Sequence, residues 1–196
     1  MRRTILTAAA GAGLAVATVF ATGTPAAGHG HTTAPASRQQ VCAQGAVSDC
    51  GAIVWEPQSV EGPKGFPAAG PADGTICAGG NARFAELDDP RGGSWPATDL
   101  TAGQSVTFTW DFTVQHSTAD FQYYITRDGY DPASPLTRAD LEPQPFLTVP
   151  MDGRQPAEIE NHQGTAPQKS GRHLVLAVWN IADTGNAFYA CSDVDF

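Results

Sequence analysis

The sequence contains 196 residues with 11 basic and 20 acidic side chains, a net charge of −9 and four cysteines. An acidic chain of this kind is repelled by nucleic acids and by anionic membranes, so we expect neither as a partner. Its length fits one domain with a hydrophobic core, and its charge suits a protein that acts on an uncharged partner.

The chain begins with the pattern of an export signal. The basic pair Arg2-Arg3 precedes an uncharged apolar run, and Ala26-Ala27-Gly28 supplies the small residues that a signal peptidase recognises. We therefore predict that residues 1–28 are a cleaved signal peptide and that residues 29–196 form a single secreted, extracellular domain. An uncleaved membrane anchor is the alternative, but the apolar run is at the short limit for a membrane span.

All four cysteines follow the signal. An even number of cysteines in an exported chain predicts disulfides, here two. Three pairings are open; Cys42–Cys50 is the natural local loop, which leaves Cys77–Cys191 to join an early loop to the last strand. A cysteine metal site is disfavoured because no C-x-x-C spacing is present.

The chain after the signal alternates short strand patterns with turns rich in Gly and Pro, without a long amphipathic helix. The clearest strand is Ser105–Val114, in which apolar side chains alternate with Thr and Asp. Further strands are predicted at 121–125, 173–180 and 187–196, with shorter candidates at 51–55, 82–87 and 146–149. About seven short strands indicate an all-β fold, an antiparallel β-sandwich like that of immunoglobulin or fibronectin-III domains.

Residues 56–77 interrupt this pattern with a Gly- and Pro-rich stretch that has almost no strand signal. We expect a long insertion of loop and short helix between the first strands, because loops of this length in a compact domain usually have a function. Shorter loops are predicted at 128–141 and 152–171.

Cleavage before His29 would create a chelating group. An N-terminal histidine offers its α-amine and its ring Nδ1 to one metal, and the amine has an ordinary pKa of only ~7.7–8.0. One further imidazole would complete three nitrogen ligands, a set that favours a single copper ion, as Cu(II). His116 lies two residues after the clearest strand, where it meets a loop, and is the first candidate; the alternatives are His31, His162 and His173.

A series of segments makes the sequence recognisable: 29–30 (HG), 34–38 (APASR), 55–62 (WEPQSVEG), 64–67 (KGFP), 70–74 (GPADG), 116–118 (HST), 135–138 (PLTR), 176–184 (LAVWNIADT) and 186–189 (NAFY). In this order they resemble the bacterial lytic polysaccharide monooxygenases of auxiliary activity family ten, also called chitin-binding type-4 proteins. The resemblance covers nearly the whole chain after the signal and implies a fibronectin-III-like sandwich.

The resemblance implies a copper site formed by the amine and ring of His29 and the ring of His116. It places Phe188 at the axial copper position, where it blocks one approach, and Glu61 beside the metal, where it positions the oxygen species or transfers protons. The residues that it assigns to the flat polysaccharide-binding face are Trp55, Glu56, Pro57, Asp183 and Asn186. Trp179 corresponds to a buried aromatic residue near the site.

Three positions depart from the usual family pattern. Trp55 replaces a common Tyr, and either ring can stack on a sugar. Val114 stands where a small Ala is usual, so its extra methyls narrow the access to the copper. His31 stands where an aromatic residue is common and could present another imidazole near the site.

The activity implied is oxidative cleavage of crystalline chitin, with oxidation at C1, by a monomer that uses an external electron donor and dioxygen or hydrogen peroxide. A cellulose-active enzyme is an alternative, although segment 55–62 resembles the chitin-active branch more closely. Two rival functions are those of a chitin-binding protein without catalysis and of an exported copper carrier; the carriers lack the face around Trp55.

Overall fold

The computed structural model describes residues 28–196, so the predicted signal peptide lies outside the described residues except for Gly28. The strands are β1 (His29–Ala34), β2 (Glu61–Pro63), β3 (Thr98–Asp99), β4 (Ser105–Val114), β5 (Thr118–Ile125), β6 (Leu147–Pro150), β7 (Ile159–Thr165), β8 (Arg172–Ile181) and β9 (Asn186–Asp195). One α-helix, α1 (Arg38–Ala43), and short 3-10 helices at Gly51–Trp55, Ala82–Leu87, Arg91–Gly93 and Arg138–Asp140 complete the described part. None of the helices within residues 28–196 is long and apolar enough to cross a bilayer.

The strands form two sheets. One has the order β1-β4-β7, and the other has the order β2-β9-β8-β5-β6 with β3 paired in parallel to β9. The predicted immunoglobulin-like β-sandwich is confirmed, including the insertion of loop and short helix after β1. Residues 115–117 cross from β4 in the first sheet to β5 in the second, so any side chain on this crossing lies at one end of the sandwich.

The core between the sheets follows from the alternation in β4. Val106, Phe108, Trp110 and Phe112 are buried, whereas Val114, at the end of the same row, is 41% exposed. Aromatic rings fill the space behind them; the ring centroids of Phe112 and Trp179 lie 4.7 Å apart in an edge-to-face arrangement. The apolar row of β4 therefore reaches the surface at Val114, at the end of the strand next to residues 115–117.

A second hydrophobic cluster lies beneath the insertion and includes both disulfides, Cys42–Cys50 and Cys77–Cys191. These are the pairs that the sequence favours. A buried ion pair between Arg38 and Asp193, with an Nε to Oδ2 distance of 2.8 Å, joins the start of α1 to β9.

Two of the shorter strand predictions are wrong, because residues 51–55 and 82–87 form 3-10 helices. In the second, Phe84 and Leu87 are buried three residues apart, which is the period of a 3-10 helix and not of a strand. The side chain of Asn81 caps this helix by accepting a hydrogen bond from the Arg83 amide. A short run of apolar residues did not distinguish these two conformations.

The prediction of a loop over 152–171 is also wrong, since it contains β7. This edge strand is polar on its outer face, where the Thr109 hydroxyl donates to the Asn161 side chain and the Gln163 amide donates to the Thr107 hydroxyl. On the inner face His162 is buried. Because polar residues occupy both faces, the hydrophobic alternation of a strand is absent from the sequence.

Candidate metal centre

His29 begins β1 and faces Val114, its partner on β4. The close packing of this strand requires a glycine at the next position, because a Cβ on Gly30 would lie 2.3 Å from Cδ1 of Phe112. The Gly30 amide donates a 3.0 Å hydrogen bond to the Gln58 carbonyl, which ties the start of β1 to the insertion. Within the described chain, the ring Nδ1 of His29 is buried and has no hydrogen-bond partner.

His116 lies on the crossing between the sheets, next to the start of β1. A Cβ on Gly28 would lie 3.0 Å from Cβ of His116, so the peptide bond between Gly28 and His29 runs beside the His116 side chain. The His116 Nε2 lies 2.9 Å from Oδ1 of Asp183. This nitrogen can bind a metal only after giving up that hydrogen bond.

These groups fit a metal that prefers nitrogen ligands. A buried imidazole nitrogen without a partner is costly unless a ligand satisfies it, and Nδ1 of His29 is such an atom. Among residues 28–196, no group of three or more His, Cys, Asp or Glu side chains is arranged to hold a metal. The two imidazoles therefore need a third donor, and a free amine on His29 would supply it beside His116.

Each of the other three histidines has one ring nitrogen with a partner, although Nδ1 of His31 and Nε2 of His162, like Nδ1 of His29, are buried without one. His31 Nε2 lies 2.7 Å from Oε1 of Gln40, His162 Nδ1 lies 2.6 Å from the Tyr123 hydroxyl, and His173 Nδ1 lies 2.9 Å from the Thr126 hydroxyl. Burial is the largest cause that lowers the pKa of each ring. The expectation that His31 presents another imidazole near the site does not fit this contact with α1.

Phe188 and Glu61 face each other across the β2–β9 ladder. The Phe188 ring is buried and stacks on Trp179 with a centroid distance of 4.7 Å. Trp179 also lies against the residue before β1, since a Cβ on Gly28 would lie 2.7 Å from its ring. The Asn186 side-chain amide donates a 2.7 Å hydrogen bond to Oε1 of Glu61, which fixes the orientation of that carboxylate.

Three residues assigned to the polysaccharide-binding face, 55–57, belong to the insertion after β1. Trp55 ends a 3-10 helix with 87% of its surface exposed. Glu56 forms an ion pair with Arg83, and Pro57 is half-buried. The hydrogen bond between Gln58 and Gly30 connects this segment to the residue after His29, so residues from the insertion and from the β8–β9 turn flank the two histidines.

The structure adds residues that the sequence did not single out. Ser59 and Asn81 line a polar cleft of about 360 Å³ together with Glu61 and Asn186. Asn81 comes from the loop before a 3-10 helix, and Asn186 comes from the start of β9, far along the chain from Ser59 and Glu61. Only the fold brings these residues together, and no local sequence pattern marks them.

Comparison with known proteins agrees with this arrangement. A family model described as "Lytic polysaccharide mono-oxygenase, cellulose-degrading" matches residues 29–194. Lytic chitin monooxygenase of Streptomyces ambofaciens is 44% identical, over 93% of this chain and 92% of its own length. Lytic polysaccharide monooxygenase C of Mycosarcoma maydis, from auxiliary activity family ten, is 46% identical, over 86% of this chain and 52% of its own length.

GlcNAc-binding protein A of Shewanella oneidensis is 41% identical over 87% of this chain, but this chain spans only 36% of its length. The chain thus spans about half, or less, of the first curated relatives that it matches. Among solved structures, a lytic polysaccharide monooxygenase from Streptomyces lividans is 57% identical with a TM-score of 0.84, over 86% of this chain and all of its own. A Bacillus amyloliquefaciens protein solved in complex with Cu(I) is 38% identical with a TM-score of 0.78, over 85% of this chain and 99% of its own.

Proposed function

The chain belongs to the lytic polysaccharide monooxygenases of auxiliary activity family ten, and from this we propose that it is a secreted copper enzyme that oxidatively cleaves crystalline chitin. The observation that carries the proposal is the unpartnered, buried Nδ1 of His29 at the start of β1, beside His116. The name of the Streptomyces ambofaciens relative, whose length this chain nearly spans, supports the same activity.

The proposal includes removal of residues 1–28, which leaves residues 29–196 as a single domain. The family match begins at residue 29, the first residue of β1, and this supports a cut at the same point. Before the cut, the nitrogen of His29 is an amide and a poor ligand. After the cut, it is an amine in a position to bind a metal together with the ring Nδ1 of the same residue.

The metal in this proposal is one copper ion, held by the amine and ring of His29 and by Nε2 of His116. Its support is the nitrogen-only donor set and the likeness to a neighbour solved with Cu(I). Bound copper supplies one-electron chemistry, with electrons from an external donor and dioxygen or hydrogen peroxide as the oxidant. The protein holds the two imidazoles at the start of β1 and on the crossing after β4.

Glu61 is proposed to hold and transfer a proton at this site. Its carboxylate lies in the polar cleft, and the Asn186 amide orients Oε1. A carboxylate in this role must lie close to the metal without ligating it. The hydrogen bond from Asn186 restrains the orientation of the Glu61 carboxylate, so in this proposal Asn186 acts on the proton-transfer group as well as on the substrate face.

Phe188 is proposed to exclude water and ligands from one side of the copper. Its ring has no ligating atom, is buried and stacks on Trp179, so it cannot turn away without opening the core. Val114 is proposed to narrow the approach from the solvent side, because it is exposed directly opposite His29.

The proposed substrate is chitin, bound flat across the histidine pair. Trp55 offers an exposed ring for stacking on a sugar face, while Glu56, Pro57, Asp183 and Asn186 contribute the surrounding contacts. The GlcNAc-binding name of one relative supports chitin, whereas the description of the family model supports cellulose as the alternative. The proposal for chitin includes oxidation of the sugar at the C1 carbon of the cleaved bond.

The test is the release of soluble oligosaccharides from β-chitin by the protein that begins at His29, loaded with copper and supplied with ascorbate. Aldonic-acid products, seen by mass spectrometry only when both copper and ascorbate are present, support C1 cleavage of chitin. Products from cellulose alone favour the alternative substrate. Binding to chitin without products from either polysaccharide would refute the proposed enzymatic activity and favour a chitin-binding protein without catalysis.

A further inference from the structure

The turn between β8 and β9 carries Asp183 and leads directly into Asn186, two of the proposed site residues, but it has little packing of its own. Ala182, Asp183 and Gly185 are exposed, so no hydrophobic side chain anchors them to the core. Asp183 nevertheless lies 2.9 Å from His116, and Asn186 lies 2.7 Å from Glu61. Hydrogen bonds to other elements must therefore determine where this turn lies.

Lys64 supplies three of these bonds. Its ammonium donates to the carbonyls of Ile181 and Thr184, each at 2.6 Å, and its backbone amide donates to the Gly185 carbonyl at 2.9 Å. The turn is thus held at its beginning, near its middle and at its end by one residue. A separate bond, from the Ala182 amide to the Ser117 carbonyl at 2.9 Å, ties it to the crossing that carries His116.

The register of β2 explains why Lys64 reaches the turn. Pro63 is the last residue of β2 and pairs with Asn186, the first residue of β9. The next residue, Lys64, extends past the end of this ladder, where its ammonium reaches the carbonyls of Ile181 and Thr184. An ammonium at this place makes charge-assisted hydrogen bonds, which are roughly twice as strong as neutral ones.

We propose that Lys64 is a positioning residue that fixes the β8–β9 turn against β2 and so holds Asp183 beside His116 and Asn186 beside Glu61. Both contacts depend on the same short strand, since β2 begins at Glu61 and is followed directly by Lys64. The hydrogen bonds of Lys64 do not depend on any function, whereas their effect on substrate binding rests on the function proposed above.

The experiment compares Lys64→Met, which keeps the length of the side chain but removes its donors, with Lys64→Arg, which retains donors. Lys169→Met is the control, because Lys169 also bridges two acceptors, on Asp128 and Glu142, but outside the proposed site. Each protein begins at His29 and is studied both with and without copper.

Amide hydrogen exchange is the first measurement. Lys64→Met should speed exchange at Ala182 and Asn186 by at least about tenfold, Lys64→Arg should restore most of the protection, and Lys169→Met should leave these amides unchanged. Unchanged exchange in Lys64→Met would overturn the proposal. This result does not require activity, so it separates the positioning role from the proposed function.

Substrate binding and copper binding are the second pair of measurements. Lys64→Met should raise the half-saturating concentration of β-chitin at least about fivefold, while the copper Kd changes less than about threefold, because Lys64 positions residues beside the metal ligands and not the ligands themselves. Recovery in Lys64→Arg supports the proposal. Equal losses in Lys64→Met and Lys169→Met would indicate a general loss of stability and would overturn it.

Discussion

The indole Nε1 of Trp179 donates a 2.7 Å hydrogen bond to the hydroxyl of Thr118. That hydroxyl in turn donates a 2.9 Å bond to the carbonyl of His116. Thr118 is fully buried, so water cannot replace either bond. The ring below the start of β1 and the backbone of one proposed copper ligand are therefore connected through a single oxygen atom.

Thr118→Val keeps the shape of the side chain but leaves the Trp179 indole without a buried acceptor. We expect the free energy of unfolding to fall by about 1–3 kcal/mol, the cost of an unsatisfied buried polar group. Thr118→Ser retains the hydroxyl and is the matched control. Urea denaturation of both variants tests this; equal losses would mean that the methyl packing matters and the hydroxyl does not.

Phe188→Leu should change the Cu(II) paramagnetic resonance spectrum while altering chitin binding less than about twofold. The ring is expected to border the copper but to be too deeply buried to contact a crystalline surface. The smaller side chain should also cost about 1–3 kcal/mol of stability. Phe108→Leu, at an equally buried ring on β4, should show the loss of stability without the spectral change. A spectrum unchanged in Phe188→Leu would remove this residue from the copper site.

Trp55→Ala should weaken binding to β-chitin about fivefold to tenfold, which corresponds to about 1–1.4 kcal/mol. Because 87% of the residue is exposed, the free energy of unfolding should change by less than about 0.5 kcal/mol. Ile159→Ala, another exposed apolar residue on the edge strand β7, should leave both quantities unchanged. Binding isotherms decide the matter, and wild-type affinity in Trp55→Ala would exclude the ring from the binding face.

The sequence was most informative where alternation or a terminus carried the signal. The row in Ser105–Val114 predicted a strand whose apolar face is buried, and this is confirmed. The position of His29 after a predicted cleavage site suggested a chelating group, which stays a prediction. The predictions for residues 82–87 and for the segment of β7 are wrong, because burial three residues apart and a polar strand face both depend on neighbours that are distant in the sequence.

The same limit applies to the site. His116 could be proposed because a strand ends just before it, but its contact with Asp183 joins residues from two different connections. Ser59 and Lys64 lie in segments that carry the resemblance, but the sequence assigned neither of them a role. Asn81 carries no local signal, since it is a lone polar residue in a loop. Their roles follow only from the register of β2 against β9 and from the turn that this register brings into reach.

Asp88 gives the protein a pH-dependent stability. Burial raises the pKa of its carboxyl to about 6, although the Cys77 and Ala78 amides and the charge of Arg38 act to lower it. The unfolded chain releases this proton near pH ~3.9, whereas the folded chain releases it only at a higher pH, about 6. Stability is therefore lost as the pH rises from about 4 to about 6, and the loss persists above that window.

Asp88→Asn removes this cost while keeping an oxygen that can accept both amide hydrogen bonds. The variant should be more stable than the wild type by about 1–2 kcal/mol at pH 7, after allowing for partial exposure, and equally stable at pH 4. Asp99→Asn, at an exposed residue of β3, controls for the lost charge. Denaturation curves between pH 4 and 7 provide the measurement; a difference that does not grow with pH would contradict this assignment.

Calorimetric titration with Cu(II) of two proteins that differ by one residue tests the central claim most directly. The protein that starts at His29 should bind one copper ion per chain. The protein that starts at Gly28 should bind at least about a hundredfold more weakly, a loss of about 2.7 kcal/mol, because the His29 nitrogen is then an amide. Equal affinity of the two proteins would contradict a copper site built on the amine of His29.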